Sequence, residues 1–130
     1  MTGRDWSAEI AALTPHVRGN ALDIGGANAE RVPGANPVPR RGSSTSFDWG
    51  AVPDQSADCL VALGATVLRD PVSEIHHWRR VLRDGGHIAV VPARPGAPLW
   101  LIALLNHLGG FEISEAKSIR PSPSWLLVGS

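Results

Sequence analysis

The sequence predicts an α/β fold, a mostly parallel sheet with an antiparallel C-terminal edge hairpin and few covering helices. Three observations predict it. Strand-like and helix-like patterns alternate along the chain. Asp58-Cys59-Leu60-Val61-Ala62-Leu63 and Ile88-Ala89-Val90-Val91 are nearly continuous apolar runs, as strands covered on both faces are. The last two strand candidates, Phe111 to Ile119 and Trp125 to Val128, are joined by only Arg120 to Ser124, which suits a hairpin and is too short for a parallel crossover. At 130 residues and 13.8 kDa, one domain over 1–130 is expected.

Each element has its own signal. Trp6, Ile10 and Leu13 recur at helical spacing until Pro15 and Gly19-Asn20 stop the pattern. Ala21-Leu22-Asp23-Ile24 is a short strand breaking at Gly25-Gly26. From Ala27 to Ser46, Pro33, Pro37 and Pro39 leave room for little helix, and Val38 with its neighbours and Thr45 to Trp49 are the weaker strand candidates. Asp70 precedes Pro71 as the cap of a helix whose buried stripe is expected to be Val72, Ile75, Trp78 and Leu82, with Asp84-Gly85-Gly86 ending it. A further helix is expected over Pro98 to Leu108, stopped by Gly109-Gly110.

Composition narrows the function. Twelve Lys+Arg balance twelve Asp+Glu, so no overall field draws the chain to nucleic acid or to an anionic membrane, and no nucleic-acid partner is expected. The longest apolar stretch, Ala97 to Leu105, is about half of the roughly 20 residues that span a bilayer. A single cysteine, Cys59, and a start without a signal-peptide core predict a reduced, cytoplasmic setting. Cys59 lies mid-strand and reads as a core residue. His76 and His77 point about 100° apart on a helix and do not suit one metal ion, so no metal site is expected. His107 reads as a helix-end cation, with general base as the alternative.

Ligands of open α/β sheets bind beyond the carboxyl ends of central strands. Those ends carry Asp23-Ile24-Gly25-Gly26, Phe47-Asp48-Trp49 and Leu63-Gly64. Glycines let a ligand approach the backbone, and carboxylates accept hydrogen bonds from ammonium or hydroxyl groups. Alone, the same residues also read as a tight turn with two solvated acids.

The ordered series of such segments resembles the class I S-adenosylmethionine-dependent methyltransferases, in particular their small "type 11" group. Ala21-Leu22-Asp23-Ile24-Gly25-Gly26-Ala27-Asn28-Ala29 is similar to the glycine-rich first motif. Phe47-Asp48-Trp49, followed by Val52-Pro53-Asp54-Gln55-Ser56-Ala57-Asp58, resembles the third-strand acid and the "LP-pdeSfD" segment. Val67-Leu68-Arg69-Asp70-Pro71 resembles "vLeH-dP", Arg80-Val81-Leu82-Arg83-Asp84-Gly85-Gly86 resembles "RVLrpGG", and Gly109-Gly110-Phe111-Glu112-Ile113 resembles "aGFev". The resemblance implies a Rossmann-like methyltransferase sheet, S-adenosylmethionine as cofactor, and methyl transfer to an unidentified, small-molecule acceptor. Asp23, Gly25 and Gly26 would line the methionine end of the cofactor, Asp48 and Trp49 would lie beside adenine, and Leu63 and Gly64 would floor the site near the sulfonium. No catalytic acid or base is implied, because holding the nucleophile in line with the methyl supplies much of the catalysis.

The chain also departs from the family. Ala27 and Ala29 stand where the family has glycines, and Val38-Pro39-Arg40-Arg41-Gly42 carries no carboxylate where the family grips the ribose. Arg69-Asp70 replaces the family's "EH", so no general-base histidine is carried over. Between Gly25 and Phe47 there is hardly room for the two helices that normally cover one sheet face, which predicts a bare face. Leu99 to Leu105 is apolar all round, with no charge between Arg94 and Glu112. These features predict an interface with a second copy, most simply a dimer, or with another chain, through the helix Pro98 to Leu108 or the bare sheet face. They also keep open an alternative function, a non-catalytic methyltransferase-like subunit that stabilises or completes a partner protein.

Overall fold

The computed structural model describes residues 5–24, 32–39, 47–65, 71–93 and 96–130. Six strands form one sheet: β1 (Ala21–Asp23), β2 (Asn36–Pro37), β3 (Ala57–Ala65), β4 (Leu82–Pro92), β5 (Ile113–Ser118) and β6 (Trp125–Gly129). Among the described residues three α-helices accompany them, α1 (Ser7–Leu13), α2 (Pro71–Val81) and α3 (Leu99–Gly109), with short 3₁₀ turns at Thr14–His16 and Trp49–Ala51. The spatial order is β2-β1-β3-β4-β6-β5. The first four strands are parallel, whereas β6 runs antiparallel to β4 and to β5. This is the expected Rossmann-like sheet with its antiparallel edge hairpin.

The apolar run of β3 is buried on both faces, and its side chains alternate between two cores as a period of two requires. Leu60 and Ala62, with Ile88, Val90 and Leu127, pack under Ile75, Trp78 and Val81 of α2 and Leu101 and Leu105 of α3. Cys59, Val61 and Leu63, with Ala21, Ala89, Val91 and Leu126, pack under Trp6 and Leu13. Phe111 closes the first core at the end of α3, where the Arg79 guanidinium lies 4.0 Å from its ring centroid.

The structure corrects several expectations. The sheet face under α1 is not bare: Ala21, Cys59, Val61, Leu63, Ala89, Val91 and Leu126 are all at most 1% exposed. Val17, Val32 and Ile119, which lie outside the α-helices, pack there beside α1 and complete the cover. Val72 is 60% exposed, and Val81 takes its place in the stripe of α2. Leu82 is buried from β4 rather than from the helix. The α-helix ends at Leu13, just ahead of Pro15 as expected, and Pro15 sits inside the 3₁₀ turn that follows, where its missing N–H costs nothing. Asp84-Gly85-Gly86 lies within β4, in a bulge between the pairs Ala57–Leu82 and Cys59–His87, with Gly85 at φ +81°. Trp49 begins a 3₁₀ turn rather than extending a strand, and Phe47 makes a single bridge. Asp70, the expected cap of α2, lies outside the described residues.

Candidate functional site

The connections between strands place the site. From β1 the chain passes to β2 on one side and then to β3 on the other, so the order reverses between β1 and β3. In parallel α/β sheets a crevice opens at such a reversal, outside the carboxyl ends of the two strands. Asp23 is the last residue of β1 and is 4% exposed, and the Val32 N–H approaches its Oδ2 at 3.4 Å. Its backbone carbonyl accepts a hydrogen bond from the Val38 N–H at 3.2 Å, which ties β2 to β1 at this edge.

Asp23 pairs in register with Val61, and β3 continues past it to Leu63 and Gly64. Gly64 has φ +70°, a left-handed conformation that side chains resist, and the β3–β4 register shifts between Leu63 and Ala65. The strand thus turns its backbone at the crevice. The Leu63 side chain itself is buried with Cys59 and Val61 in the core under α1. Asp48 reaches the same edge, because its N–H donates to the Pro39 carbonyl just beyond β2 at 2.7 Å. Asp23, Asp48, Leu63 and Gly64 therefore share the carboxyl edge of the sheet. Gly25 and Gly26 lie outside the described residues, as do Ala27, Ala29, Arg40 and Arg41.

Trp49 is turned towards α2. Its indole is 5% exposed, lies 5.4 Å from the His77 ring at 9° from parallel, and donates from Nε1 to Glu74 Oε1 at 3.1 Å. Arg80 holds the same segment from below by donating to the Trp49 and Val52 carbonyls, both at 3.0 Å, and by pairing with Asp54. Burial, followed by the Arg80 charge, pushes His77 below the usual histidine range.

Other sequence candidates fall away from this crevice. Burial pushes the Cys59 thiol up and away from the reactive thiolate, and its Sγ–H points to the Arg18 carbonyl at 3.6 Å. His107 is exposed in the last turn of α3. A groove of about 520 Å³ opens at the amino ends of β3 and β4, lined by Gln55, His76, Arg79 and Arg83 among others, and holds no expected site residue. Among the described residues no helix is long and apolar enough to cross a membrane.

Sequence reasoning missed one buried polar cluster. Glu9 is 1% exposed, and its Oε2 accepts hydrogen bonds from Ser122 Oγ at 2.5 Å and Ser124 Oγ at 2.8 Å. The signal was present in the sequence: Glu9 stands three residues after Trp6 and four before Leu13, on the stripe that faces the core.

Comparison by sequence finds no matching family model and no matching curated protein. Comparison of structures finds several methyltransferases. A putative methyltransferase from Haloferax volcanii, solved in complex with the Trm112 methyltransferase activator, matches with TM-score 0.65 at 12% identity over 95% of this chain and 88% of that one. Fibrillarin from Aeropyrum pernix, solved with natively bound S-adenosyl-L-methionine, matches with TM-score 0.62 at 15% identity over 96% of this chain and 76% of that one. A putative type 11 methyltransferase from Sulfolobus solfataricus matches with TM-score 0.53 at 17% identity over 75% of this chain, which spans 58% of that protein's length. The strand order, the antiparallel edge and these likenesses agree: the chain has the fold of the class I S-adenosylmethionine-dependent methyltransferases.

Proposed function

We propose that the chain transfers a methyl group from S-adenosylmethionine to a small-molecule acceptor, with the cofactor in the crevice between β1 and β3. The reversal of strand order between these two strands, with Asp23 on one lip and Gly64 on the other, carries this reading. The residues suit the cofactor. The Asp23 carboxylate offers acceptors to the methionine ammonium, and the left-handed Gly64 backbone leaves room where a side chain would intrude. Gly25, Gly26 and the Leu63 backbone would complete the methionine side, and Asp48 and Trp49 would stand on the adenine side. The cofactor, when bound, supplies an electrophilic methyl. The chain's own part is to position the acceptor and exclude water, so no general base is required of it. The free, buried Cys59 suits a reducing cytoplasmic setting.

A second reading, a methyltransferase-like subunit, is favoured by a specific observation. Val72, Leu99, Trp100 and Leu108 are large apolar side chains exposed on α2 and α3, at 60, 72, 38 and 36%. The Haloferax neighbour was solved with an activator protein, and an equivalent association here, or a homodimer through α3, would cover these groups. The sheet face expected to be bare offers no such surface, since α1 with Val17, Val32 and Ile119 closes it. Calorimetric titration with S-adenosylmethionine and S-adenosylhomocysteine, with and without co-purifying proteins, separates the two readings. Binding by the lone chain supports the enzyme, and binding only in the complex supports the subunit.

A further inference from the structure

β5 is the last strand of the sheet, and among the described residues only the edge facing β6 is paired. Its backbone alternates between the two edges, as an antiparallel ladder requires. The Ile119 N–H donates inward to the Ser124 carbonyl at 2.9 Å, so Lys117 and Glu115 also turn their amides to β6, while Ala116 and Ser118 turn theirs outward. The side chains alternate as well. Ile119 is buried in the core under α1, which places Lys117 and Glu115 on that face, where both charges act on the His16 ring. Ala116 and Ser118 lie on the face of α2 and α3. Lys117 Nζ and Glu115 Oε1 pair at 2.7 Å, their side chains 58 and 37% exposed. An open edge is a template for another strand unless charge or shape blocks it. Here a base and an acid two residues apart make the block selective.

Ser114-Glu115-Ala116-Lys117-Ser118 reads alike in both directions, except that the acid on one side of Ala116 is matched by the base on the other. Laid antiparallel to a second copy about Ala116, it sets Glu115 opposite Lys117 of that copy, and Lys117 opposite its Glu115. Ala116 then faces Ala116, and the two outward-turned residues exchange both N–H···O bonds. Other registers fail. A slip of one residue would oppose side chains from different faces of the sheet, and a slip of two would centre the pair on Glu115 or Lys117 and oppose like charges. Beyond Glu115, the bulge between Ile113 and Glu115 ends the regular edge. We infer that two copies of the chain join edge to edge through β5, in one register centred on Ala116, into a single continuous sheet. The two-fold axis stands perpendicular to this sheet, so each face continues across the seam. α3, which carries the chain from β4 to β5, flanks the seam in both copies on one face and brings Leu99, Trp100 and Leu108 to that side. A seam over Ser114 to Ser118 alone is smaller than the roughly 20–30 residues a side of a standard interface, and these apolar groups supply the rest. The pairing holds whether or not the chain transfers methyl groups.

Sedimentation of the full chain and of a charge-exchange series tests the seam. The wild-type chain is expected to be dimeric at concentrations on the order of 100 μM. Lys117→Glu and Glu115→Lys each set like charges across the seam, and each should raise the dissociation constant about tenfold. The double exchange Glu115→Lys/Lys117→Glu puts opposite charges back in the same register and should restore the dimer. Ala116→Cys should cross-link under mild oxidation, since facing Cα atoms of a hydrogen-bonded pair lie about 5.5 Å apart, within disulfide reach. Ser118→Cys, equally on the open edge but displaced from its own copy along the seam, should not. The native Cys59 is buried and stays out of the reaction. A wild-type monomer at that concentration would overturn the seam. So would a dimer that the single reversals leave untouched, which would put the contact on α3 alone, and so would a double exchange that stays dissociated. Ala116→Cys cross-linking no faster than Ser118→Cys would overturn the register.

Discussion

The indole of Trp49 lies flat against the imidazole of His77, their centroids 5.4 Å apart and their planes 9° from parallel. Phe47 meets the same indole edge-on at 5.8 Å, and Glu74 takes its N–H. One residue thus pins the segment after β2 to the flank of α2. Any contact Trp49 makes with adenine is made by a ring whose hydrogen-bond donor is already committed and one of whose faces is covered.

This stack predicts a pH dependence. Burial and the Arg80 charge lower the His77 pKa from its ordinary 6.5, so the unfolded chain takes up the proton at a higher pH than the folded one. Stability is therefore fully present above the ordinary value and is lost as pH falls through the folded value. Thermal unfolding followed from pH 8 to 5 should show the Tm falling below about 6.5. His77→Phe, which keeps an aromatic ring on Trp49, should flatten part of that fall. His16, lowered chiefly by burial, accounts for a further part with the same sign. Equal slopes in the wild-type and variant proteins would remove His77 from the account.

The exposed apolar residues of α3 predict association. Leu99 is 72% and Leu108 is 36% exposed at the two ends of the helix, whereas Leu104, four residues before Leu108, packs in part on the core. Leu99→Glu with Leu108→Glu should lower the sedimenting mass or abolish capture of a partner, while changing folding stability by no more than about 1 kcal/mol. A wild-type chain that sediments as a folded monomer at concentrations on the order of 100 μM, with α3 open to exchange, would contradict the dimer and remove the main argument for the subunit reading.

Gly64 predicts a coupled loss. Gly64→Val places a β-branched residue at φ +70°, which costs about 1–3 kcal/mol and re-aims the end of β3. Urea unfolding should shift to a lower midpoint, and S-adenosylhomocysteine binding should weaken beyond what the stability loss explains. A stability loss with unchanged affinity would move the cofactor away from the end of β3.

Much of this fold is written in local patterns. The apolar runs of β3 and β4 and the two-sided core follow directly from Asp58 to Leu63 and Ile88 to Val91, and the short link from Arg120 to Ser124 specifies the edge hairpin. Gly109-Gly110 ends α3 as its left-handed φ of +63° at Gly110 requires. Tertiary pairings were not legible. No local signal shows that Val17, Val32 and Ile119 would close the face under α1, that Val81 rather than Val72 would turn inward, or that Glu9 would meet Ser122 and Ser124. At the site, strand ends could be read from glycines and acids, which placed Asp23, Asp48 and Gly64 at one edge. The inward turn of Trp49 depends on Glu74, His77 and Arg80, which are remote in sequence and adjacent only once α2 has docked.

The most direct test of the central claim is calorimetric titration of the wild-type chain and of Asp23→Ala with S-adenosylhomocysteine. The chain lacks a ribose carboxylate after β2 and carries Ala27 and Ala29, and each lost hydrogen bond to a charged group is worth roughly 1.5–3 kcal/mol, so the wild-type Kd is expected in the range of tens to hundreds of μM, on the order of 10–500 μM. Asp23→Ala should give no binding heat while its circular dichroism spectrum matches that of the wild type. An Asp23→Ala variant that binds as tightly as the wild-type chain would contradict the placement of the site between β1 and β3.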